Sequence, residues 1–363
     1  MKQRNLGIEC LRIVAMFMIV MLHVLGQGGV LYEAKQFSSQ YMIAWFLEVM
    51  VVAAVNIYAI ISGYVGYEAK WKISRIINLW MQVFFYSVIL AIIFMALYPE
   101  DFLTKVYLMK AVMPITTAEY WYISSYFGMF FLMPVLNIAI DKLEERQLRI
   151  SLLGLLMMYT ILPTAFNQDP FSLNEGYSVL WLCILYLVGG YLKKYQIADR
   201  ISHKAAGLTW VFCVIGTWGL KMLLEFATLH VFGEVKYSYV LVYYTMPVTV
   251  VEAIALVLFF SKVTLKKPWL QEVVPVISGA TLGVYIIHVQ TFVFYKIIYQ
   301  MTTYLAYENP VTLLVVVFVD AIAVYGICTL IDICRKKIFG VLKVARIAEW
   351  VDHLVASKQE RTK

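Results

Sequence analysis

The sequence predicts an all-α integral membrane protein, a bundle of about ten transmembrane helices with both termini in the cytoplasm. Hydrophobic residues make up 62% of the chain and charged residues only 15%, whereas soluble proteins are about a quarter charged. Ten apolar stretches approach or exceed the length that crosses a bilayer, and Lys and Arg concentrate in the connections on one side of them.

The ten predicted spans follow one another with short connections. A helix needs about 20 mostly apolar residues to cross the hydrocarbon. The stretches are roughly 7–27, 42–64, 74–98, 120–140, 150–166, 177–192, 206–230, 239–261, 275–299 and 311–334. We assign residues 1–345 to one multi-span membrane domain and residues 346–363 to a short polar cytoplasmic tail. The longest external connection, "PEDFLTKVYLMKAVMPITTAE", is predicted to form an interfacial or re-entrant cover.

The distribution of basic residues orients the bundle. With both termini inside, the cytoplasmic segments hold 23 of the 30 Lys and Arg, and the opposite loops hold 4. Cytoplasmic loops of membrane proteins are enriched in these residues. The net charge of +7 is therefore a topological feature, and no nucleic-acid partner is predicted.

The first span carries an unusual polar track. Eleven residues at about 100° each return to nearly the same helix face, so Arg12 and His23 share a face with Glu9 below and Gln27 above. At about 1.5 Å per residue, Arg12 and His23 lie roughly 16 Å apart along the axis. Arg12 could be a side chain that reaches the headgroups. His23 lies too deep for that, so it serves either proton transfer or packing against protein.

A second polar face lies in the ninth span, where Ser278, Thr281, Tyr285 and His288 follow helical three-and-four spacing. This face could be a second wall of the cavity around His23, or an ordinary contact between helices. His288 is the strongest functional candidate in the group.

A possible anion site lies where the second span passes into the third. Small Ser62 and Gly63 permit close backbone approach near Lys72 and Arg75, and a phosphate-bearing ligand could dock there from the cytoplasm. The alternative is that the two basic residues only set topology.

Other intramembrane charges have less definite roles. Lys221 and Glu225 have i,i+4 spacing and could neutralise each other. Glu252 and Asp320 could line a cavity, or pair with Lys296 or a tyrosine. The five cysteines show no paired C-x-x-C spacing, so no metal or redox site is predicted. The aromatic run "AEYWYISSYFGMFFLMP" favours an interfacial belt over a carbohydrate platform.

Five segments, taken together, resemble the membrane-bound acyltransferase-3 family. "IECLRIVAMFMIVMLHV" is similar to that family's first span, in which ten residues separate a basic residue and a histidine, here Arg12 and His23. In order along the chain, the other similar segments are "IYAIISGYV", "KISRIINLW", "WYISSYFGMFFLMP" and the Y-x-x-H stretch "LGVYIIHVQTF".

The resemblance implies a membrane acyltransferase of a bacterial inner membrane. It would move an acetyl or other short acyl group from cytoplasmic acyl-CoA, with acetyl-CoA favoured, to a hydroxyl of a surface glycan or lipid-linked sugar. Under this hypothesis Arg12, Lys72 and Arg75 hold the CoA phosphates, with Ser62 beside them, and no metal is required. The partners are then acyl-CoA, the sugar acceptor and membrane lipid.

The same hypothesis makes His23 the catalytic residue, either as a general base or as a covalent carrier of the acyl group. His288 would orient His23 or act as a second acid–base group, and Tyr285 or Ser62 would stabilise the developing oxyanion. Two rival functions are a transporter or flippase for a glycolipid or small solute, and a non-enzymatic subunit of a glycan-synthesis complex.

Overall fold

The computed structural model describes residues 5–360, except for the side chains of residues 353 and 355–360. It is 80% helical, with no strand in the described range. Nine of its helical segments are long and apolar enough to cross a membrane, which confirms the predicted all-α membrane bundle. Lys2, Arg4 and the last three residues of the predicted tail lie outside the described residues.

The main helices are numbered α1 to α11 in chain order. Their bounds are α1 Leu6–Leu25, α2 Ser39–Gly66, α3 Ile73–Leu97, α4 Trp121–Lys142, α5 Glu145–Phe166, α6 Val179–Lys194, α7 His203–Phe232, α8 Pro247–Ser261, α9 Pro268–Val289, α10 Pro310–Val341 and α11 Val344–Glu360. A turn interrupts α2 at residues 52–53, and α5 contains one π-helical turn, Met157–Ile161.

Local sequence signals explain where many of these helices begin. The side chains of Asn5, Ser178, Ser202 and Asn309 each accept a hydrogen bond from a backbone N–H in the first turn of the following helix. Such N-caps satisfy donors that have no partner within the helix. Helices α8, α9 and α10 start with proline, whose missing N–H costs nothing in a first turn.

Helix α6 has 16 residues and is not one of the nine long segments, but it also crosses the bundle. It runs parallel to α4. A side chain added at Gly128 of α4 would meet Val179 at the start of α6, and one added at Gly190 near the end of α6 would meet Ile140 near the end of α4. Tyr177, just before α6, packs against Trp121 at the start of α4, with ring centroids 4.3 Å apart. The segment from residue 177 to residue 194 therefore accompanies α4 over its whole length, and we count it as the tenth crossing within the described chain.

Ten crossings bring the start of α1 and the end of α10 to the same end of the bundle, which we call the terminal end. There Asn5 Nδ2 donates to the carbonyl of Ser261 at 2.9 Å, and the backbone N–H of Ser74 donates to Asp352 in α11 at 2.9 Å. We call the opposite end, which holds His23, the histidine end. The assignment of the terminal end to the cytoplasm remains a prediction from the distribution of Lys and Arg.

The ninth predicted span, residues 275–299, is wrong in its bounds. Helix α9 starts earlier and stops at Val289, because Gln290 turns to an extended conformation. Its side-chain oxygen accepts hydrogen bonds from the N–H groups of Phe292 and Val293, at 2.9 and 3.3 Å. No proline or glycine marks this break in the sequence. It places His288 in the last turn of α9.

The connection before α4 packs onto the break after α9. It forms two short helices, Pro99–Phe102 and Lys105–Val112, and the ring of Phe102 lies 4.6 Å from that of Phe292. Lys296 pairs with Asp101 at 2.7 Å. The alternative that Lys296 pairs with Glu252 or Asp320 is therefore wrong.

Two glycines allow α2 and α6 to cross with their backbones in contact. A Cβ atom at Gly63 would overlap the carbonyl oxygen of Tyr186, and one at Gly189 would overlap that of Ile60. Small residues at helix interfaces permit such approach in membranes. The crossing fixes the half of α2 that carries Tyr58 and Ser62.

Replacing Gly63 with alanine is expected to destabilise the protein by about 1–3 kcal/mol, because the added methyl group must push two backbones apart. The measurement is the midpoint of thermal unfolding of the detergent-solubilised protein, followed by size-exclusion chromatography. Gly216→Ala is the matched control, since no atom lies within 4 Å of a Cβ built there. An equal midpoint for Gly63→Ala and Gly216→Ala would contradict the tight crossing.

Candidate active site

His23 and His288 form a direct pair between α1 and α9. The Nδ1 atom of His23 lies 2.9 Å from Nε2 of His288, and the ring centroids are 5.0 Å apart. His288 is 1% exposed, and its Nδ1 lies 2.6 Å from the carbonyl oxygen of Val284. The contact agrees with the sequence-based hypothesis that His288 orients His23.

These contacts define which nitrogen of each neutral ring carries the proton. A carbonyl oxygen can only accept, so His288 donates its Nδ1–H to Val284. Its Nε2 then has a free lone pair and accepts the Nδ1–H of His23. The remaining nitrogen of His23, Nε2, is left unprotonated. It is therefore able to take up a proton or attack a carbonyl carbon.

His23 faces a cavity of about 90 Å³ that is lined mainly by aromatic and apolar side chains. Tyr58, Trp121, Tyr122 and Tyr285 contribute to its wall. The hydroxyl of Tyr122 is buried and has no hydrogen-bond partner among the described residues. Since buried hydroxyls are nearly always paired, this one is available for a ligand. We call this space the histidine cavity.

A second cavity, of about 240 Å³, adjoins the histidine cavity on the side of the terminal end. Tyr58, Tyr122 and Leu282 line both spaces. Ser62 and Arg75 line only the second one, which we call the middle cavity. The two spaces adjoin and together extend from Arg75, near the start of α3, to His23, and we call them the route.

The predicted donor-binding residues differ in their relation to this route. Arg75 lines the middle cavity, whereas Arg12 pairs with Glu9, with 3.0 Å between Nη1 and Oε1. Lys72 is exposed at the N-cap of α3 and lines neither cavity. Ser62 lines the middle cavity, and its hydroxyl donates to the carbonyl of Tyr58 at 2.8 Å.

The polar face of α9 is divided between packing and the cavity. Ser278 donates a short hydrogen bond to Glu9 and so joins α9 to α1. Thr281 and Tyr285 line the histidine cavity, and His288 lies behind His23 without lining that cavity. Ser278 therefore forms a contact between helices, whereas Thr281 and Tyr285 form part of the cavity wall, so each of the two interpretations applies to part of this face.

Sequence reasoning did not single out Tyr58, and it favoured an interfacial belt for Trp121 and Tyr122. Tyr58 lines both cavities, and its hydroxyl donates to the carbonyl of Arg12 at 2.7 Å. The sequence contains a signal for Tyr58, because this residue lies one helical turn before Ser62 and therefore on the same face of the helix. For Trp121 and Tyr122, only the neighbouring helices reveal that they face the interior.

An aromatic cluster extends outward from the histidine cavity. Trp121 and Tyr244 line the cavity and lie nearly parallel, at 18°, with ring centroids 6.2 Å apart. Tyr177 lies 4.3 Å from Trp121 and 5.1 Å from Tyr244, measured between ring centroids, and is 40% exposed. These three rings, the aromatic wall, connect the cavity with the surface of the histidine end.

Lys221 and Glu225 form a fully buried ion pair within α7, as their spacing predicted. The hydroxyl of Tyr41 donates to Glu225 at 2.8 Å, and the Lys221 ammonium lies 3.6 Å from the Trp45 ring centroid. Neither charge lines the histidine or middle cavity. We interpret the pair as a structural contact between α7 and α2.

Comparison with known proteins gives one positive result. A family model named acyltransferase 3, and described as an acyltransferase domain, matches residues 5–331 of the chain. No curated protein and no solved structure matches the chain significantly. Among the described residues, no group of three or more His, Cys, Asp or Glu side chains is placed to hold a metal ion.

Proposed function

The chain belongs to the acyltransferase-3 family, so it is a membrane acyltransferase, and we propose that it carries an acetyl or other short acyl group from acyl-CoA to a sugar. The acceptor is a hydroxyl of a surface glycan or lipid-linked sugar, and the membrane is a bacterial inner membrane. The observation that carries the proposal is the contact of His23 with His288 at the inner end of two adjoining cavities, which leaves Nε2 as the unprotonated nitrogen of the neutral His23 ring.

The donor enters this route from the terminal end. The middle cavity has the basic side chain of Arg75 at one end and mostly apolar and aromatic walls beyond it. Such a space suits a thioester on a long, weakly polar arm that leads from a phosphorylated head.

At His23 the transfer follows one of two balanced routes. In the direct route, the acceptor hydroxyl oxygen attacks the thioester carbonyl while its proton moves to Nε2 of His23. The carbon–sulfur bond then breaks, and the CoA thiolate takes that proton. In the covalent route, Nε2 attacks the thioester carbonyl and the carbon–sulfur bond breaks, which leaves an acylated, positively charged imidazole and the CoA thiolate. The sugar hydroxyl oxygen then attacks the acyl carbon, the carbon–nitrogen bond breaks, and the hydroxyl proton ends on the thiolate, so that neutral His23 is restored.

Both routes develop negative charge on the carbonyl oxygen. Tyr122 is the first candidate to stabilise it, because this residue lines both cavities and its buried hydroxyl has no partner among the described residues. Tyr285, the residue expected from the sequence, lines the same cavity and is a second candidate. Ser62 is less suited, since its hydroxyl proton is already donated to Tyr58.

The sugar acceptor would approach from the histidine end. The aromatic wall of Trp121, Tyr177 and Tyr244 reaches from the histidine cavity to the surface. Flat aromatic faces offer sugars an apolar stacking surface, and the polar tips of Trp and Tyr remain available for hydrogen bonds. This arrangement supports a sugar acceptor over a purely apolar one.

The function is tested with purified protein in liposomes, radiolabelled acetyl-CoA and a panel of surface glycans and lipid-linked sugars. We expect free CoA thiol to appear in equal amount with a labelled sugar ester that mild alkali or hydroxylamine releases. Liposomes without the protein are the control. Uptake of a labelled glycan into sealed vesicles, with neither CoA release nor ester across the panel, would instead establish the transporter alternative.

A further inference from the structure

A third cavity extends the route beyond Arg75 at the terminal end. It measures about 430 Å³ and lies between α3, α10 and the first turn of α11. Arg75, Leu79 and Leu282 line both this space and the middle cavity. A ligand in the route to His23 would therefore have its outer part in this space, which we call the entry cavity.

The entry cavity contains an arginine whose position is fixed from behind. Asp332 is fully buried, and its Oδ1 accepts hydrogen bonds from Nε and Nη2 of Arg335, at 3.0 and 2.8 Å. Gln82 and Tyr86 of α3 donate to the same oxygen, at 3.1 and 2.9 Å. A guanidinium has five N–H donors. The contacts with Asp332 use two of them, on Nε and Nη2, and Nη1 makes no hydrogen bond among the described residues, so it is available to a ligand.

The second cation of the entry cavity is Arg75. Within the described chain, its guanidinium makes no ion pair or hydrogen bond. The residues that line the cavity include no carboxylate, and they add the amide groups of Asn78 and Gln82. Phe339, stacked under the Arg335 guanidinium at 4.8 Å from its ring centroid, contributes an apolar surface. Two guanidinium groups facing one space, with amides and an aromatic ring, match a phosphorylated nucleoside.

We propose that the entry cavity binds the phosphorylated adenosine end of the acyl-CoA donor, with Arg335 and Arg75 as its phosphate ligands. Asp332 is the positioning residue that holds Arg335 in place. The inference rests on the proposed function for the identity of the donor. The proposed phosphate site contains Arg335 in place of Arg12 and Lys72. In the sequence, Arg335 is only one of many predicted cytoplasmic charges.

The test is a calorimetric titration of the full-length protein in nanodiscs with CoA and with pantetheine, which lacks the phosphorylated adenosine. Arg335→Gln is expected to weaken CoA binding about 10–100-fold, the loss typical of one charge-assisted contact, and to leave pantetheine binding unchanged. Lys337→Gln is the matched control, because it removes a charge from an exposed position two residues further along α10. It should bind CoA like the wild type.

A second variant protects the test against a folding defect. Arg75 is exposed and has no partner to lose among the described residues, so Arg75→Gln should fold normally and weaken CoA binding to a similar extent. Wild-type affinity for CoA in both variants, or an equal loss of pantetheine binding, would overturn the inference. Tight CoA binding that both substitutions weaken, without any acyl transfer by the wild type, would support the site and overturn the proposed function alone.

Discussion

Substitution of His23 by glutamine is expected to lower the rate of acyl transfer by about 10²–10⁴-fold, the usual contribution of a general base. Glutamine keeps a donor and an acceptor at this position but can neither take up a proton nor attack a thioester. The measurement is the formation of labelled sugar ester from radiolabelled acetyl-CoA by membranes that contain equal amounts of each protein. If His23 carries the acyl group covalently, the variant should also lose labelling of the protein itself when no acceptor is present.

The control for this substitution is His230→Gln, which changes an exposed histidine at the end of α7. Its activity should equal that of the wild type. CoA binding by calorimetry should be similar in the wild type and in His23→Gln, because the proposed phosphate site lies at the other end of the bundle from this residue. Undiminished ester formation in His23→Gln would remove His23 from the mechanism.

Substitution of His288 by leucine should reduce kcat by about 10–100-fold, because it removes the acceptor for His23, and a hydrogen bond to the positively charged His23 ring formed during the proposed transfer contributes roughly 1.5–3 kcal/mol. The KM for acyl-CoA should stay near the wild-type value, since His288 does not line the histidine cavity. The measurement is steady-state kinetics with the unfolding midpoint determined in parallel. Without an acceptor at residue 288, Nδ1 of His23 loses its partner and the ring can bind its proton on either nitrogen.

A positioning role differs from a packing role in its response to a conservative substitution. His288→Gln places an amide oxygen within reach of the Nδ1–H of His23, so it should recover a substantial part of the activity lost in His288→Leu. Leucine fills the apolar surroundings at least as well as glutamine does. Equal kcat in the two variants would therefore show that the hydrogen bond to His23 has no role in catalysis.

The sequence predicted the features that depend on one helix at a time. The apolar lengths identified the bundle, and helical spacing placed Ser278, Thr281, Tyr285 and His288 on one face. All four are buried in the structure. The end of α9 was misplaced because the break depends on the side chain of Gln290, which bonds to the N–H groups that follow it. Local composition gives no signal for a break of this kind.

The features that the sequence could not predict depend on which helices become neighbours. The spacing of Arg12 suggested a cytoplasmic anchor or phosphate ligand, but it also put Glu9 one turn away as an ion-pair partner. Arg335 appeared as one positive charge at the end of a span. Its burial and its orientation follow from Asp332 in α10 and from Gln82 in α3. The i,i+3 spacing of Asp332 and Arg335 is a pattern of one helix, but the hydrogen bond from Gln82 to Asp332 depends on α3 packing beside α10.

The pairing of α1 with α9 also has a consequence for biosynthesis. His23 and His288 are 265 residues apart in the chain, and Glu9 and Ser278 are 269 apart. At about 5–20 residues per second, α1 leaves the ribosome roughly 13–50 s before its partners are made. During that interval Glu9 has only Arg12 of its own helix as a partner, and His23 lies in the membrane without His288, where unpaired polar groups are costly. The nascent chain therefore depends on water, lipid headgroups or the insertion machinery to shelter α1 until the last third of the protein is synthesised.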